Sequence, residues 1–424
     1  MEIFRYYLDA SPWSWPRLIH VCRKWRRLVF LHGQSLQLQL FCTHGTPVKK
    51  NLDCWHRALP IVVAYGGSPG LDPPTLEDEN DIMAALNQPD RVHSISLTIT
   101  SSLLEKLTTI ERPFSKLEHL ILLSGDEVQL TLPSAFRWGQ HLRHLHSTRI
   151  VIPSLDCLHY SSIKDLQLQE VPNPWHFSPN ELPDALFRMT KLRSLSLHFL
   201  PTSHHVAVSL PTCDRIVLPA LTRLKYQGTL QGIAEDLENL VARIDTRRIE
   251  EIEVTFTDNS ESELVTDLSK LIGFIDWIKM PKYDRQAHIL SSGDVISISL
   301  MQPEVPTRIK IQFCGLFGVQ LDFSSLTRLF LGVKWLHVAG NAPLYTFRLL
   351  DEVKLPALHG LYIPQPGPRD APLREAVVSF MTSRRLSGHP IAVQYERLSQ
   401  MSELSRAGTK YAQCYRHCTL TCFQ

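Results

Sequence analysis

The side chains with the most chemical potential alternate with leucine or isoleucine in short apolar segments of the chain. Imidazole, carboxylate, amide and cationic groups all occur at these positions. The candidates are His119, His144, His146, Asp165, Gln167, His198, Arg223, Lys225, Glu251 and Glu253. Because residues two apart in a strand lie on the same face, these groups are expected to line a surface beside a leucine core. Such mixed chemistry suits recognition of a protein surface, and the alternative is a solvated strand face with no dedicated ligand.

Motifs for known catalytic chemistry are missing from the sequence. It contains no Gly-x-Gly-x-x-Gly, no phosphate-binding loop, no Gly-x-Ser-x-Gly, no His-Glu-x-x-His and no Cys-x-x-Cys. We therefore predict a protein that is not an enzyme and has no cofactor, no metal site and no catalytic residues.

A repeated apolar-x-x-apolar-x-apolar pattern positions the candidate residues. Its regular copies start at Val92, Leu117, Leu142, Ile163, Leu192, Leu221 and Ile249, at intervals of 21–29 residues. This is the core pattern and the period of leucine-rich repeats, in which each unit adds one strand to a shared core. The fold class expected is α/β, with an irregular leucine-rich-repeat solenoid whose strands line the concave side.

Further copies and local signals complete the predicted array. The pattern returns at Val295, Leu326 and Leu358 after a gap of 46 residues. Two apolar alternations around Gly293-Asp294 predict a hairpin within that region. Thr75 is expected to cap a helix from about Leu76 to Leu86, and Ser102 to open a capping box with Glu105.

The first thirty residues predict an amphipathic helix with a basic outer face. Its apolar stripe consists of Leu18, Val21, Cys22, Trp25, Leu28 and Val29, and the opposite face carries Arg23, Lys24, Arg26 and Arg27. Ile3-Phe4 and Tyr7-Leu8 precede this helix by about a dozen residues. Since Trp25 lies on the apolar stripe and not among the arginines, the basic face is not expected to bind nucleic acid.

The sequence Val-Cys-Arg-Lys-Trp-Arg-Arg-Leu, from Val21 to Leu28, resembles the C-terminal two thirds of an F-box. Together with the irregular repeats, the layout resembles the F-box proteins that are numerous in mushroom-forming fungi. The family's module opens with a Leu-Pro-x-Glu-Leu-Leu-type segment, whereas this chain begins at Met1-Glu2, so an incomplete module is expected. The expected organisation is an F-box-like helical module (1–45), a connector and capping helix (46–90), the solenoid (91–364) and a partly disordered C-terminal extension (365–424).

The resemblance implies an adaptor of an SCF-type (Skp/cullin/F-box) ubiquitin ligase that holds an unknown protein substrate on its solenoid. It implies docking to the Skp-family subunit, and through it to the cullin ligase complex, by the apolar residues that match the family pattern. These are Ile3, Phe4, Tyr7, Leu8, Leu18, Val21, Cys22 and Trp25. The alternative is a repeat scaffold for protein interaction, in which the F-box remnant only caps the solenoid.

Composition excludes several other classes of protein. The chain has 424 residues, 44% of them apolar, and a formal net charge of +2. No apolar run approaches the roughly 20 residues that span a bilayer, so no membrane partner is expected. Nine cysteines are scattered singly and no Asn-x-Ser/Thr sequon occurs, which favours a reducing cytoplasmic or nuclear location.

Overall fold

The computed structural model describes the chain in separate segments. They are residues 21–31, 39–54, 59–66, 74–125, 130–132, 140–152, 160–171, 181–199, 216–228, 244–245, 249–257, 285–292, 295–302, 305–314, 330, 332–340, 355–364 and 371–396. These residues fall into two compact units, one ending at Val171 and one beginning, among the described residues, at Glu181. Each unit is a mixed α/β structure with few helices and a large sheet.

The first unit alternates helices and strands along its described residues. Its helices are α1 (Arg23–Leu31), α2 (Val48–Cys54), α3 (Leu76–Leu86) and α4 (Ser101–Leu107). Its strands are β1 (Leu40–Thr43), β2 (Ile61–Tyr65), β3 (Val92–Ile99), β4 (His119–Ser124), β5 (Leu130–Thr131), β6 (His144–Thr148), β7 (Ile150–Val151) and β8 (Asp165–Val171). Strands β1-β2-β3-β4-β6-β8 form a parallel sheet in that order, and β5 pairs separately with β7.

Apolar side chains that are aligned across neighbouring strands form the core of this sheet. Ile95, Leu120, Leu145 and Leu166 are aligned across four neighbouring strands, and each is at most 1% exposed. No single strand can bury such a face by itself, so each repeat depends on its neighbours for its apolar contacts.

The predicted cap of α3 is confirmed. The Thr75 side chain accepts a hydrogen bond from the Asp78 backbone N–H, and the Asp78 carboxylate accepts one from the Thr75 backbone N–H. These reciprocal bonds satisfy two backbone donors that the helix itself leaves unpaired. His44 also contacts Asp78, with 3.1 Å between Nδ1 and Oδ1.

The predicted capping box at Ser102 is wrong. Helix α4 begins at Ser101, and Thr100 caps it by accepting a hydrogen bond from the Leu103 backbone N–H. The Ser102 hydroxyl instead donates to Glu79 at 2.9 Å. Thr100 directly precedes the first helical residue and can accept from the Leu103 N–H, whereas Ser102 lies inside the first turn.

Glu79 connects helices α3 and α4 through polar contacts. It is 4% exposed and accepts hydrogen bonds from Thr100 Oγ1 and Lys106 Nζ, both at 2.8 Å. Burial alone would raise the pKa of this carboxyl, but the bonds from Lys106, Thr100 and Ser102 outweigh burial and lower it. Glu79 therefore stays ionised and holds the two helices together.

The second unit contains more strands than helices among its described residues. Its helices are α5 (Glu181–Arg188) and α6 (Ala371–Leu386). Its strands are β9 (Ser194–Phe199), β10 (Ile216–Val217), β11 (Arg223–Gly228), β12 (Ile244–Asp245), β13 (Glu251–Thr257), β14 (Arg285–Ser292), β15 (Val295–Gln302), β16 (Val305–Cys314), β17 (Val333–Gly340), β18 (Gly360–Pro364) and β19 (Ala392–Glu396).

The large sheet of this unit changes direction in its middle. Its order is β9-β11-β13-β16-β15-β14-β17-β18-β19. The neighbouring pairs are parallel except β16–β15 and β15–β14, which are antiparallel. Strands β10 and β12 form a separate parallel pair. An aligned apolar column again forms the core, beginning with Leu195, Leu224, Ile252 and Ile309.

The repeat pattern predicted the strands well where its spacing was regular. A strand begins two residues after each of the seven regular starts, from β3 to β13, except that β3 begins at Val92 itself. The hairpin of β14 and β15 is also confirmed. Strand β16 was not predicted, and near the copy at Leu326 the described strand is β17, which begins at Val333.

The region after residue 364 continues the sheet. Helix α6 buries Leu373, Val377 and Phe380, and β19 pairs in parallel with β18. Residues 397–424 lie outside the described part of the chain. The predicted domain boundaries stay a prediction.

Candidate functional site

The ten polar candidate residues lie in register on the sheets of the two units. The first polar face consists of His119, His144, His146, Asp165 and Gln167. The second polar face consists of His198, Arg223, Lys225, Glu251 and Glu253. On each sheet these residues alternate with the buried apolar columns, as the pattern predicted. Their assignment to substrate binding stays a prediction.

Two stacked histidines form the centre of the first polar face. His119, His144 and Asp165 are aligned on β4, β6 and β8. The imidazole rings of His119 and His144 are parallel within 2°, with centroids 4.3 Å apart. His144 Nδ1 lies 2.7 Å from Asp165 Oδ2.

His119 is held in its neutral form. Burial lowers its pKa to about 4, and the neighbouring His144 contributes in the same direction against the opposing effect of Glu118. At pH 7 the ring is therefore uncharged, and the stack can form without repulsion between two imidazolium groups.

A hydrogen-bond network around His146 lies next to the histidine stack on this face. His146 Nε2 lies 3.1 Å from Thr148 Oγ1 and 3.3 Å from Gln169 Oε1. Burial lowers the pKa of His146, although its hydrogen bond with Gln169 works in the opposite direction. Gln167 is aligned with His146 on the neighbouring strand.

Sequence reasoning missed an ionic cluster beside the histidine stack. Glu118 accepts from His93 Nε2 at 3.3 Å and from Arg143 Nη1 at 3.1 Å. Glu118 and Arg143 lie just before their strands, outside the alternating positions that marked the other candidates. Each follows the first leucine of its repeat, Leu117 or Leu142, by one residue. This shared position is the sequence signal that could have placed them side by side.

Ion pairs dominate the second polar face. Lys225, Glu253 and Lys310 are aligned on β11, β13 and β16. Lys225 Nζ lies 3.3 Å from Glu253 Oε2, and Lys310 Nζ lies 2.8 Å from Oε1. Burial would raise the pKa of Glu253, but the two ammonium groups outweigh it and lower that pKa. The carboxylate therefore stays ionised between two cations.

The remaining candidates of this face lie around that triad. Arg223 and Glu251 are aligned with each other, two residues before Lys225 and Glu253 on the same strands. Arg223 is exposed and Glu251 half-buried. His198 is half-buried and aligned with Gln227.

A column of stacked rings on the same sheet was also missed. His288 and His337 have ring centroids 4.3 Å apart, as do His337 and Tyr362. Trp335 lies beside Tyr362, with centroids 5.8 Å apart. Its indole lies across Gly360, where a Cβ atom would overlap the ring. This glycine is thus required by the close approach of a neighbouring side chain.

The residues implied in adaptor docking are described only in part. Ile3, Phe4, Tyr7, Leu8 and Leu18 lie outside the described residues. Val21 is 59% exposed, Cys22 is exposed and Trp25 is half-buried.

The start of α1 differs from the sequence prediction. Val21 and Cys22 precede this helix, which begins at Arg23, and are not on its apolar stripe as predicted. The Trp25 backbone N–H donates to Cys22 Sγ at 3.5 Å. Cys22 thus takes the place of a capping residue, which explains the later start.

Comparison with protein-family models and with curated proteins finds no match to this chain. Across the described residues, no group of three or more His, Cys, Asp or Glu side chains is arranged to hold a metal ion. Within the same part of the chain, no helix is long and apolar enough to cross a membrane.

Proposed function

We propose that this chain is a substrate-recognition adaptor of an SCF-type ubiquitin ligase. In this proposal the N-terminal module docks to a Skp-family subunit, and the strands form an irregular leucine-rich-repeat solenoid that binds a protein substrate. Catalysis belongs to the conjugating enzyme that the complex recruits. The adaptor is expected in the cytoplasm or the nucleus.

The sequence from Val21 to Leu28 carries the docking half of the proposal. A large apolar side chain that is 59% exposed directly before an amphipathic helix favours a contact with another protein. The helix has a strongly basic outer side, including Lys24 and Arg27, which are exposed. Apolar residues for contact and charged residues facing water are what a docking helix requires.

The two polar faces support the substrate half. The first combines imidazole, carboxylate and amide groups, and the second combines imidazole, cationic and carboxylate groups. In both, the buried strands hold these groups in register. Rigid surfaces with mixed polar chemistry recognise protein partners through directed hydrogen bonds and charge pairs.

The alternative is a protein-interaction scaffold in which the F-box remnant only caps the first repeats. The ends of a repeat array expose core residues and need a cover. Both proposals use the same polar faces, so they differ in whether the N-terminal module binds a partner.

Co-purification with a Skp-family adaptor distinguishes the two proposals. The full chain is compared with the double variant Val21→Asp/Trp25→Ala and with Lys24→Ala, a change on the opposite, exposed side of α1. The ligase proposal predicts association of the intact chain and of Lys24→Ala, and at least tenfold weaker association of the double variant. No association of the intact chain would favour the scaffold.

A further inference from the structure

A single row of side chains crosses the large sheet of the second unit, from the charged centre of the second polar face to the column of stacked rings. Residues aligned in register on neighbouring strands share a face of the sheet. The row consists of Lys225, Glu253, Lys310, Ser299, His288, His337 and Tyr362. It passes through both antiparallel pairs without changing face, so the reversal of chain direction does not interrupt the surface.

The charged end of this row has two cations for one carboxylate. The side chains of Lys225 and Lys310 are 30% and 28% exposed, and that of Glu253 is 17% exposed. Both ammonium groups therefore remain within reach of a ligand. Because each ammonium can donate three hydrogen bonds, two lysines that share one carboxylate can also bind a second one.

The other end of the row contains no carboxylate. Ser299 separates Lys310 from the ring column of His288, His337 and Tyr362, whose planes are parallel within 7°. The stacked rings hold one another in place, so they have little conformational freedom to lose on binding. A ligand that lies along the row thus meets positive charge at one end and the edges of stacked rings at the other.

We propose that this row binds an acidic peptide segment of the protein substrate. A carboxylate of the peptide contacts Lys225 and Lys310 beside Glu253, whose negative charge opposes its binding. This inference rests on the proposed function, since it assigns a substrate class to one of the two polar faces.

Nucleic acid fits this surface less well than a peptide. Binding a phosphodiester chain requires several successive cations along the backbone. Here Glu251 and Glu253 alternate with the cations on adjacent strands and would repel a chain with one charge per nucleotide. A peptide can place a single carboxylate between the lysines and neutral residues elsewhere.

The test measures fluorescence anisotropy of a labelled ten-residue peptide with one central Glu among Ser residues, titrated with the full chain. A peptide with Lys in place of Glu and a labelled single-stranded oligonucleotide serve as controls. The expected result is binding of the Glu peptide at least tenfold tighter than of either control.

Substitutions of the triad test the site itself. Glu253→Gln removes the opposing negative charge and is expected to tighten Glu-peptide binding several-fold. Lys225→Met/Glu253→Gln/Lys310→Met leaves no buried charge unpaired, and it is expected to weaken binding at least tenfold. Circular dichroism of each variant checks that the fold is retained.

Three results would overturn the inference: weaker binding by Glu253→Gln, unchanged binding by the triple variant, or preference for the oligonucleotide. The Skp-family co-purification is scored on the same variants. Peptide binding without Skp association would contradict only the ligase proposal, and Skp association without peptide binding would contradict only this inference.

Discussion

The two polar faces lie on similar sheets but differ in their chemistry. Both are formed by parallel strands whose alternate residues make up buried apolar columns. The first polar face has a neutral ring, His119, at its centre, stacked on His144. The second places an ionised carboxylate between two lysines. The register of the strands therefore determines the positions of the polar side chains. The residue types at those positions determine whether the centre of the surface is neutral or charged.

This difference determines how each face responds to its surroundings. A buried neutral histidine resists protonation, so acid opposes folding around it. An ion-paired carboxylate is indifferent to mild acid but depends on its partners and on salt. Substitution, pH and ionic strength can each be used to separate the two faces.

The largest expected effect comes from removing the charge at the centre of the second polar face. Glu253→Ala leaves Lys225 and Lys310 close together without their shared carboxylate, and we expect the free energy of unfolding to fall by about 3 kcal/mol. Glu251→Ala is the matched control on the same strand, and a change within about 0.5 kcal/mol is expected there. Urea unfolding of both variants provides the measurement. Equal losses would show that the triad is no more important than its surroundings.

An intermediate effect is expected from acid on the first polar face. His119 has a pKa of about 4 in the fold, against about 6.5 in an unfolded chain. Between these values the unfolded chain binds a proton that the fold excludes, so stability falls as pH drops from about 7 to about 4, by about 2 kcal/mol. Glu253 has a lowered pKa, so its contribution is present above the ordinary carboxyl range and is lost only in stronger acid.

Hydrogen exchange measures this contrast strand by strand. After correction for intrinsic rates, peptides from β4 and β6 should lose protection at about pH 5.5, while those from β13 and β16 should keep it. His119→Gln removes the group that titrates and should flatten the response of β4. Equal loss of protection on both faces would contradict the assignment of acid sensitivity to the histidine stack.

The smallest expected effect comes from ionic strength. The lysines of the triad are partly exposed, so salt should screen their coupling to Glu253 by about 0.5 kcal/mol. A double-mutant cycle of Lys225 and Glu253 at low and high salt measures that loss. Because His119 is neutral, the stack should show no comparable change in a His119–His144 cycle. Salt dependence in the histidine cycle but not in the Lys225–Glu253 cycle would contradict the assignment of ionic coupling to the second polar face.

Local pattern was enough to predict most strands of the regular repeats. The spacing of Leu117, Leu120 and Leu122 fixes both the strand and the face that it buries, and the same holds for later copies. Thr75 was recognised for the same reason, because a helix cap is decided within four residues. Ser102 was misassigned because the helix begins one residue earlier, at Ser101, with Thr100 as its cap.

The contacts within each polar face could not be predicted because they depend on register between distant segments. Lys310 and Glu253 are 57 residues apart, and β16 pairs with β13 only after the chain has passed through β14 and β15. The alternation of Ile309 and Ile311 with charged residues was a usable signal for β16, but it lies outside the leucine period that guided the prediction. The aromatic column likewise requires that β14 pair with β17.

The most direct test of the account is binding of the purified full chain to a purified Skp-family adaptor, measured by calorimetry. The adaptor proposal predicts a saturable one-to-one complex that Val21→Asp/Trp25→Ala weakens at least tenfold and Lys24→Ala leaves unchanged. No heat of binding and no co-elution of the intact chain with the adaptor would contradict a role in the ligase.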